Sequence, residues 1–563
     1  TTVSAGTRAI NGSFAGILSI GAGAVLGGSG TVGQVTINSG GTVAPGNSIG
    51  TVTVNGNYTS NAGSIQQIEM TSGGTTPGVH QDRILVNGNV ILNGGTVAVQ
   101  TNTTTNLSVG PRYVFLQHTG TRTGTFSAAT MNTPFFNASL DYGAADIAFI
   151  LARSQTTYAS IARTFTQQQV GTSLDGLSTT ATGDLAGVLD QLNLQTADGA
   201  RGALDQMSAS IYGTAAQVNL QMSTWNMLQL QRNTNFEGDI GSARTADGDL
   251  LAADAPGPAD DEFEVVLVGY RQNQDSALIT PVQFVRRGRQ VWNAWSTGYG
   301  GFDSSNDVVD RFSSGGTITS LYRYLTDSVK FGVYGGYNYV SLRTAAPRQL
   351  SRVDDGQIGM YLRADGEDGH LLLAHSYGID GYSSYRNIRF GTVDRTAVGN
   401  TSGWQTTTYG EFGRLIPLWP FDVEPFFGLQ QIYLRQNSFT ETGAGALNLN
   451  VGGVDADAFR HLFGARFLLD SLTFAGAPLK SEFRIVWMHD YLTPATVLQS
   501  TFFGVGGAGF SSAGLNLGRD TAIVGSGLTW APGDRFSLTL NYDAQVTDQA
   551  TFHVASGSAQ LRW

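Results

Sequence analysis

Few residues in this chain are arranged to do chemistry, and most stand in patterns that lack the context the chemistry needs. Gly46-Asn47-Ser48-Ile49-Gly50 spells G-x-S-x-G, the turn that presents a nucleophilic serine. That reaction requires a strand before the turn, a helix after it, and acid and His partners downstream. Alternating runs flank it on both sides and Pro45-Gly46 reads as a turn, so a structural role is expected. Gly28-x-Gly30-x-x-Gly33 and Gly504-x-Gly506-x-x-Gly509 fit a dinucleotide-binding pattern, yet neither opens a helix in a βαβ unit. His80, His118, His370, His375, His461, His489 and His553 have neither H-x-x-x-H nor H-E-x-x-H spacing, which leaves a metal site unsupported. Asp247-Gly248-Asp249 lacks the remaining ligands of a calcium loop. The absence of Cys removes thiol nucleophiles, Cys-type zinc sites and disulfides together. No catalytic residue, cofactor or metal ligand is assigned.

Charge is concentrated in one other place. From Val291 to Trp563 the chain reads as long amphipathic strands. In 536–544, Phe536, Leu538, Leu540, Tyr542 and Ala544 alternate with Ser537, Thr539, Asn541 and Asp543. Phe483, Ile485, Trp487 and Tyr491 likewise oppose Glu482, Arg484 and Asp490, and Ile358, Met360 and Leu362 oppose Gln357, Tyr361 and Arg363. Such runs suit a tilted membrane strand of about nine to eleven residues, whereas strands of soluble domains centre near about five or six. A barrel with a lipid-facing apolar exterior and a polar lumen follows. By parity Arg363, Asp422, Glu424, Arg466, Glu482, Arg484, Asp543 and Arg562 point inward, as a mutually neutralising set that hydrates and stiffens the lumen. His375, His461 and His489 fall in these strands, the last two with outward parity near an interface.

Twelve runs are counted: 291–304, 312–326, 328–344, 353–367, 368–386, 401–416, 421–442, 458–471, 481–493, 519–531, 535–548 and 551–563. The number is even, as in bacterial single-chain barrels. The tightest connection is Thr326-Asp327-Ser328, while 387–400 and 443–457 read as longer links.

The first 150 residues are a different material, with eight charged side chains among short Gly/Thr/Val/Asn/Ser alternations. Asn-Gly turns stand at 55–56, 87–88 and 93–94, and units recur at roughly 20-residue spacing, the signature of stacked solenoid coils. A right-handed parallel β-helix is expected. Such a solenoid needs capping, and beginning mid-pattern at Thr1, with no signal-peptide pattern, implies that coils and any signal lie upstream. Residues 151–235 turn helical: Leu204, Met207, Ile211, Ala215, Val218, Met222 and Trp225 advance by 3 and 4 along one face. The far side is polar but nearly uncharged, which suits a helix in a hydrated channel. Residues 236–262 form an acidic loop, and 263–290 remain unplaced. A net charge of −11 without a basic cluster excludes a nucleic-acid binder. The mean hydropathy of −0.07 does not exclude a membrane barrel, whose alternating strands average to a soluble-looking value.

Taken in order, these parts resemble an autotransporter of the type V secretion family. The segment GGTVAPGNSIGTVTVNGNYTS… (40–100), with Pro45, Gly46, Ser48 and Gly50 at its centre, is similar to a repeat near the carboxyl end of β-helical passengers. VWNAWSTGYG (291–300) and Gly335-Gly336-Tyr337 resemble the opening strands of the family's barrel. Trp563, with Leu561 and Ala559 on its face, resembles a barrel-assembly signal. The resemblance implies a mainly β chain: a passenger end with an autochaperone-like repeat (1–150), a linker with a pore helix within 204–232, and a 12-stranded antiparallel transmembrane barrel (291–563). It implies a monomer in the Gram-negative outer membrane, displaying its passenger at the cell surface, with adhesion as one use. The implied partners are lipid, the barrel-assembly machinery, periplasmic chaperones, and a host or cell-surface ligand. The alternative is an anchor for a protease or esterase encoded upstream. Some relatives cut themselves in the lumen at adjacent asparagines; here Asn219 and Asn226 are isolated, neither is assigned as catalytic, and an uncleaved display protein is expected.

Overall fold

The computed structural model describes residues 1–101, 107–235, the strands Phe263–Leu267 and Val282–Arg286, and 292–562 except 304–310, 327, 345–347, 367, 419, 493–494 and 534. The acidic loop, most of 263–290 and Trp563 lie outside the described residues.

The amino-terminal part winds into a parallel β-helix with three sheets. Leu18, Val35, Tyr58 and Val90 align in one inward column and are all buried. Short β-branched runs form this core because alternate residues point inward and like stacks on like. At the corners asparagines form ladders, Asn87 Nδ2 to Asn55 Oδ1 at 2.8 Å between two Asn-Gly turns and Asn93 Nδ2 to Asn61 Oδ1 at 3.1 Å. The expected spacing of about 20 holds only for the first coils. Aligned residues Ser19, Thr36, Thr59, Ile91 and Thr123 lie 17, 23, 32 and 32 positions apart, because later coils carry excursions such as 71–82. An antiparallel hairpin, Phe136–Tyr142 with Asp146–Arg153, pairs onto Arg112–His118 and closes the last coil, running past the expected boundary at 150.

Four helices follow: α1 (Phe165–Ser178), α2 (Gly183–Asn193), α3 (Ala197–Met207) and α4 (Ser210–Asn235). The first begins at a capping box, Thr164 with Gln167. The single helical face expected from Leu204 to Trp225 is corrected here. Leu204 and Met207 belong to α3, and the chain is extended at Ser208 before α4 starts. The Ser208 hydroxyl donates to Asp205 O at 2.8 Å and accepts from Ser210 N at 3.4 Å. Such local bonds compete with the helical ladder, while the 3-and-4 spacing happens to keep phase across the break.

The barrel closes with twelve antiparallel strands: Asn293–Asp303, Arg311–Thr326, Val329–Arg343, Gln349–Asp365, Gly369–Phe390, Val393–Arg414, Phe421–Gln436, Val454–Phe474, Ala477–Asp490, Asp520–Gly533, Phe536–Val546 and Thr551–Arg562. The first pairs with the last. Large apolar side chains such as Ile358 and Leu540, each 68% exposed, line the outside, while Ser537, Thr539, Asn541 and Asp543 are buried inside. That arrangement inverts a soluble barrel and is the membrane-spanning one. The link expected at 387–400 is in fact strand: the fifth and sixth strands turn at Gly391-Thr392 and project beyond their neighbours. Their alternation continues because Ile388, Phe390, Val393 and Ala397 are buried at this end. A small sheet of Phe439–Thr440, Leu449–Val451, Val497–Phe502 and Phe510–Ala513, unforeseen from the sequence, completes the rim on the solenoid side.

Candidate functional site

The lumen is filled by α4. Almost every residue from Ile211 to Thr234 is buried, so the polar side does not face a hydrated channel as its composition suggested. A helix with little segregation of apolar and polar faces is held here by bonds from many of its polar side chains to the wall, although Asn219 Oδ1, Asn226 Nδ2 and Gln229 Oε1 find no partner among the described residues. At the solenoid end, Tyr212 OH donates to Glu441 Oε1 at 2.5 Å, and Glu441 is itself held by Arg386 Nε at 3.0 Å and Leu449 N at 2.7 Å. Arg386 Nη1 also donates to Gln206 O at 2.9 Å, which ties the end of α3 to the same clasp. Midway, Asn219 Nδ2 donates to Tyr382 OH at 3.0 Å and Thr224 Oγ1 to Gln430 Oε1 at 3.0 Å. Gln221 Nε2 and Trp225 Nε1 share Gln545 Oε1 at 2.8 and 2.9 Å. At the far end Lys330 Nζ donates to Thr234 O at 2.9 Å, a cation placed at the helix carboxyl terminus where the dipole favours it.

Around this helix the buried charges form discrete clusters. Arg466 reaches Glu424 at 2.8 Å and Glu411 at 2.7 Å, and His370 bridges the same two acids at 2.8 and 2.9 Å. Arg484 pairs with Glu482 at 3.0 Å and with Asp543, which also takes Arg232 from α4. Of the eight inward charges expected, Glu424, Arg466, Glu482, Arg484 and Asp543 therefore meet in the lumen. Arg363 also points inward as expected, buried beside Asp365 at 2.7 Å and donating to Asn235 at the end of α4, whereas Asp422 and Arg562 lie near strand ends, partly exposed. His370, Glu411, Arg232, Arg386 and Glu441 join them and were missed, as were the buried Lys330, Asp355, Asp380, Arg460 and Asp490. Their strand parity was a usable signal for His370 and Glu411, which alternate with outward Leu371 and Phe412. Outward, His461 and His489 stack at 5.8 Å, with His461 Nδ1 2.9 Å from Tyr491 OH. Among the described residues no three His, Asp or Glu side chains gather as a ligand set.

Residues 294–543, which hold this lumen, match the family model described as the autotransporter β-domain. The chain carries an autotransporter translocator barrel. Two curated relatives, both extracellular serine proteases of Serratia marcescens, are 25% and 24% identical to it. Their alignments cover 100% and 89% of this chain but 54% and 48% of theirs, so the chain spans about half the length of the curated relatives it matches. Among solved structures, the translocator domain of autotransporter NalP from Neisseria meningitidis aligns over 49% of this chain and 90% of that one, at 16% identity and a TM-score of 0.40. The β-domain of the Bordetella autotransporter BrkA aligns over 48% and 98%, at 16% identity and a TM-score of 0.35. An autotransporter barrel resides in the Gram-negative outer membrane with its passenger at the cell surface, which puts the solenoid end of this barrel outside.

Helices α1 to α3 join the solenoid to the barrel. Thr133 Oγ1 donates to Asn193 O at 2.6 Å on the solenoid side, and Ser173 Oγ to Ala508 O at 2.8 Å on the barrel side. Asp184 of α2 takes a two-pronged pair from Arg395 at 2.5 and 2.8 Å. Leu561 and Ala559 share the outer face of the last strand, Leu561 being 52% exposed.

The passenger repeat motif is a coil corner. Gly46 has φ of 89°, where only glycine is unstrained, and a strand, Thr51–Val54, follows Gly50, so the serine elbow has no helix. The corner is clasped by Asp82, which is buried and accepts from Gly50 N at 2.9 Å and Glu69 N at 2.8 Å. Burial pushes the Asp82 carboxyl up to about 7 from its ordinary 3.8, against the pull of the two backbone donors. The folded coil thus holds a proton that the unfolded chain releases, so this contribution is full below about pH 4 and is lost as pH rises towards 7. Hydrogen exchange of residues 50–86 should accelerate from pH 5 to 8, after correction for intrinsic rates, and Asp82→Asn should flatten that trend. An equal trend in both proteins would remove Asp82 as its source.

Proposed function

We propose that the chain translocates and displays its own passenger, leaving α4 as the plug of the pore, and that it is not an enzyme in the part present. The observation that carries this is the course of the chain: it descends from the solenoid through α1–α3, and α4 then passes down the lumen, bonded to the wall at both ends and midway. From Ile211 to Thr234 the helix is buried on all sides, Asn233 excepted, among the described residues. Deleting residues 200–235 should therefore raise the single-channel conductance of the reconstituted barrel several-fold; unchanged conductance would remove the plug. Lipid, the barrel-assembly machinery and periplasmic chaperones serve its biogenesis, the barrel acts as a monomer, and the weakly charged solenoid suits adhesion to a surface ligand.

The passenger stays attached. Asn219 and Asn226 remain single asparagines, and mass spectrometry of outer membranes should find no fragment beginning within 204–235. A fragment starting at 220 would instead make Asn219 a cleavage residue. A second reading is favoured by the printed names of both curated relatives: the barrel anchors a secreted serine protease whose catalytic part lies upstream. Proteolytic activity of intact cells, abolished by shaving the surface, would establish that reading over adhesion.

A further inference from the structure

At the outer end of the barrel several outward basic side chains carry an acid: Arg389 with Asp394 at 2.8 Å, Arg435 with Asp455 at 2.7 Å and His489 with Asp520 at 2.9 Å. The rim of the third and fourth strands differs. Arg343, Arg348 and Arg352 are exposed there, and among the described residues none of them has an ion pair. Their register makes them one patch. Leu350 lies across from Arg343, and Arg348 and Arg352 flank Leu350 two positions away along the chain, with its outward parity. Arg343 is therefore diagonal to Arg352, about 7–8 Å away between backbones. The nearby outward acid Asp354 is engaged elsewhere, accepting the Tyr337 hydroxyl. Another arginine of this rim without an ion pair, Arg519, has Asp520 beside it in the chain. A chain of net charge −11 thus gathers three cations on one short stretch of wall.

Height fixes what this patch can meet. The outward aromatics Tyr337, Tyr377, Trp404 and Tyr433 form a belt, with Trp404 6.1 Å from Tyr377 and 5.2 Å from Tyr433 between ring centres. Such belts sit where the hydrocarbon of a bilayer ends. Arg352 pairs with Ser341, four positions beyond Tyr337, which is about 13 Å along the strand and about 10 Å in height at the usual barrel tilt. Below the belt, the exposed Ile358, Met360 and Leu373 of the fourth and fifth strands face acyl chains. One amphiphile can touch both levels, with its chains on the aliphatic wall and its head among the guanidiniums. The arginine fork matches the oxygens of a phosphate two at a time, and clustered cations at a membrane surface select anionic lipid. We infer that Arg343, Arg348 and Arg352 bind the phosphorylated head of a glycolipid in the outer leaflet and hold it against this side of the barrel. A free anion would fit the cations but make no use of the aliphatic wall beneath them, and that continuity selects a lipid. The inference deepens the reading of lipid as a partner and rests on the barrel's place in the membrane; α4 and the passenger have no part in it.

The test uses the full chain, folded in neutral detergent and titrated with fluorescently labelled lipopolysaccharide extracted from the producing cells. Arg343→Ala combined with Arg352→Ala should weaken binding by about tenfold or more, because each removes a charge-assisted contact to phosphate. Arg519→Ala should bind like the native chain. Lipopolysaccharide stripped of its phosphates with hydrofluoric acid should bind the native chain as weakly as the intact lipid binds the double variant. Inorganic phosphate at equal concentration should not displace the lipid. Equal affinity of the native chain and the double variant for intact lipopolysaccharide would overturn the site, as would undiminished binding of the dephosphorylated lipid. Displacement by inorganic phosphate would overturn the assignment to a lipid and leave a site for free anions. The substitutions lie on the exposed face, and heat-modifiable migration checks that each variant is folded. Conductance on deletion of the helix reads the plug alone, so lost phosphate recognition with raised conductance would refute this site and leave the plug standing.

Discussion

Replacing Trp225 by alanine is expected to loosen α4 by about 3–5 kcal/mol, the usual range for removing a buried large aromatic, and to raise the conductance of the reconstituted barrel. Trp225 is 1% exposed and is the largest side chain the helix buries. Its ring meets Phe312 at 5.9 Å and Phe552 at 5.8 Å, both edge to face, and its Nε1 donates to Gln545 at 2.9 Å. The wall is hollowed for it, since a Cβ on Gly301 would stand 2.5 Å from the indole. Alanine would leave the rings of Phe312 and Phe552 facing a void and Gln545 Oε1 with Gln221 as its remaining partner from the helix. Gly301→Val approaches the same contact from the other side and should displace the indole rather than remove it. Conductance, together with hydrogen exchange of residues 219–231, reads both variants. Native exchange and native conductance in Trp225→Ala would show that the polar bonds alone hold the helix.

The strands were legible because a membrane barrel writes its inside and outside into alternate residues; parity alone put Asp543 and Arg484 inward. Parity does not give depth. Whether Glu411 and Glu424 meet Arg466, or Arg386 meets Glu441, depends on the stagger between strands and on rim loops that no local pattern encodes. Asp355 and Asp380 were invisible for the same reason, being 25 positions apart in sequence and opposite each other only once the fourth and fifth strands are registered. The break at Ser208 kept helical phase and so left no mark on the period. The solenoid showed its coils through Asn-Gly corners, but insertions of uneven length hid that the later coils are 32 residues long. The rim sheet is built from strands of two to six residues, too short for alternation to register.

Arg466→Met should destabilise the folded barrel by about 3–5 kcal/mol, because it leaves buried acids without their counter-charge. The guanidinium holds Glu424 and Glu411 with separate nitrogens and lies 4.0 Å from the ring centre of Phe426. Removing it leaves two buried carboxylates with His370 as the one base that bridges both. The loss should show as a lower urea midpoint for heat-modifiable migration of the barrel, with the slope unchanged. Arg466→Lys should recover only part of it, since one ammonium cannot reproduce the fork that spans two acids. The informative variant is Arg466→Met combined with Glu411→Gln and Glu424→Gln. With no buried charge left unpaired, this triple change should return most of the stability, since a buried ionic cluster and a neutral one of similar volume often differ little. If the triple variant were as unstable as the single, the cluster would contribute specific bonds to the wall, and its role would be more than neutralising the acids. If it recovers, the cluster is a means of keeping a polar lumen compatible with burial, and the helix it surrounds is retained by Trp225 and the side-chain amides.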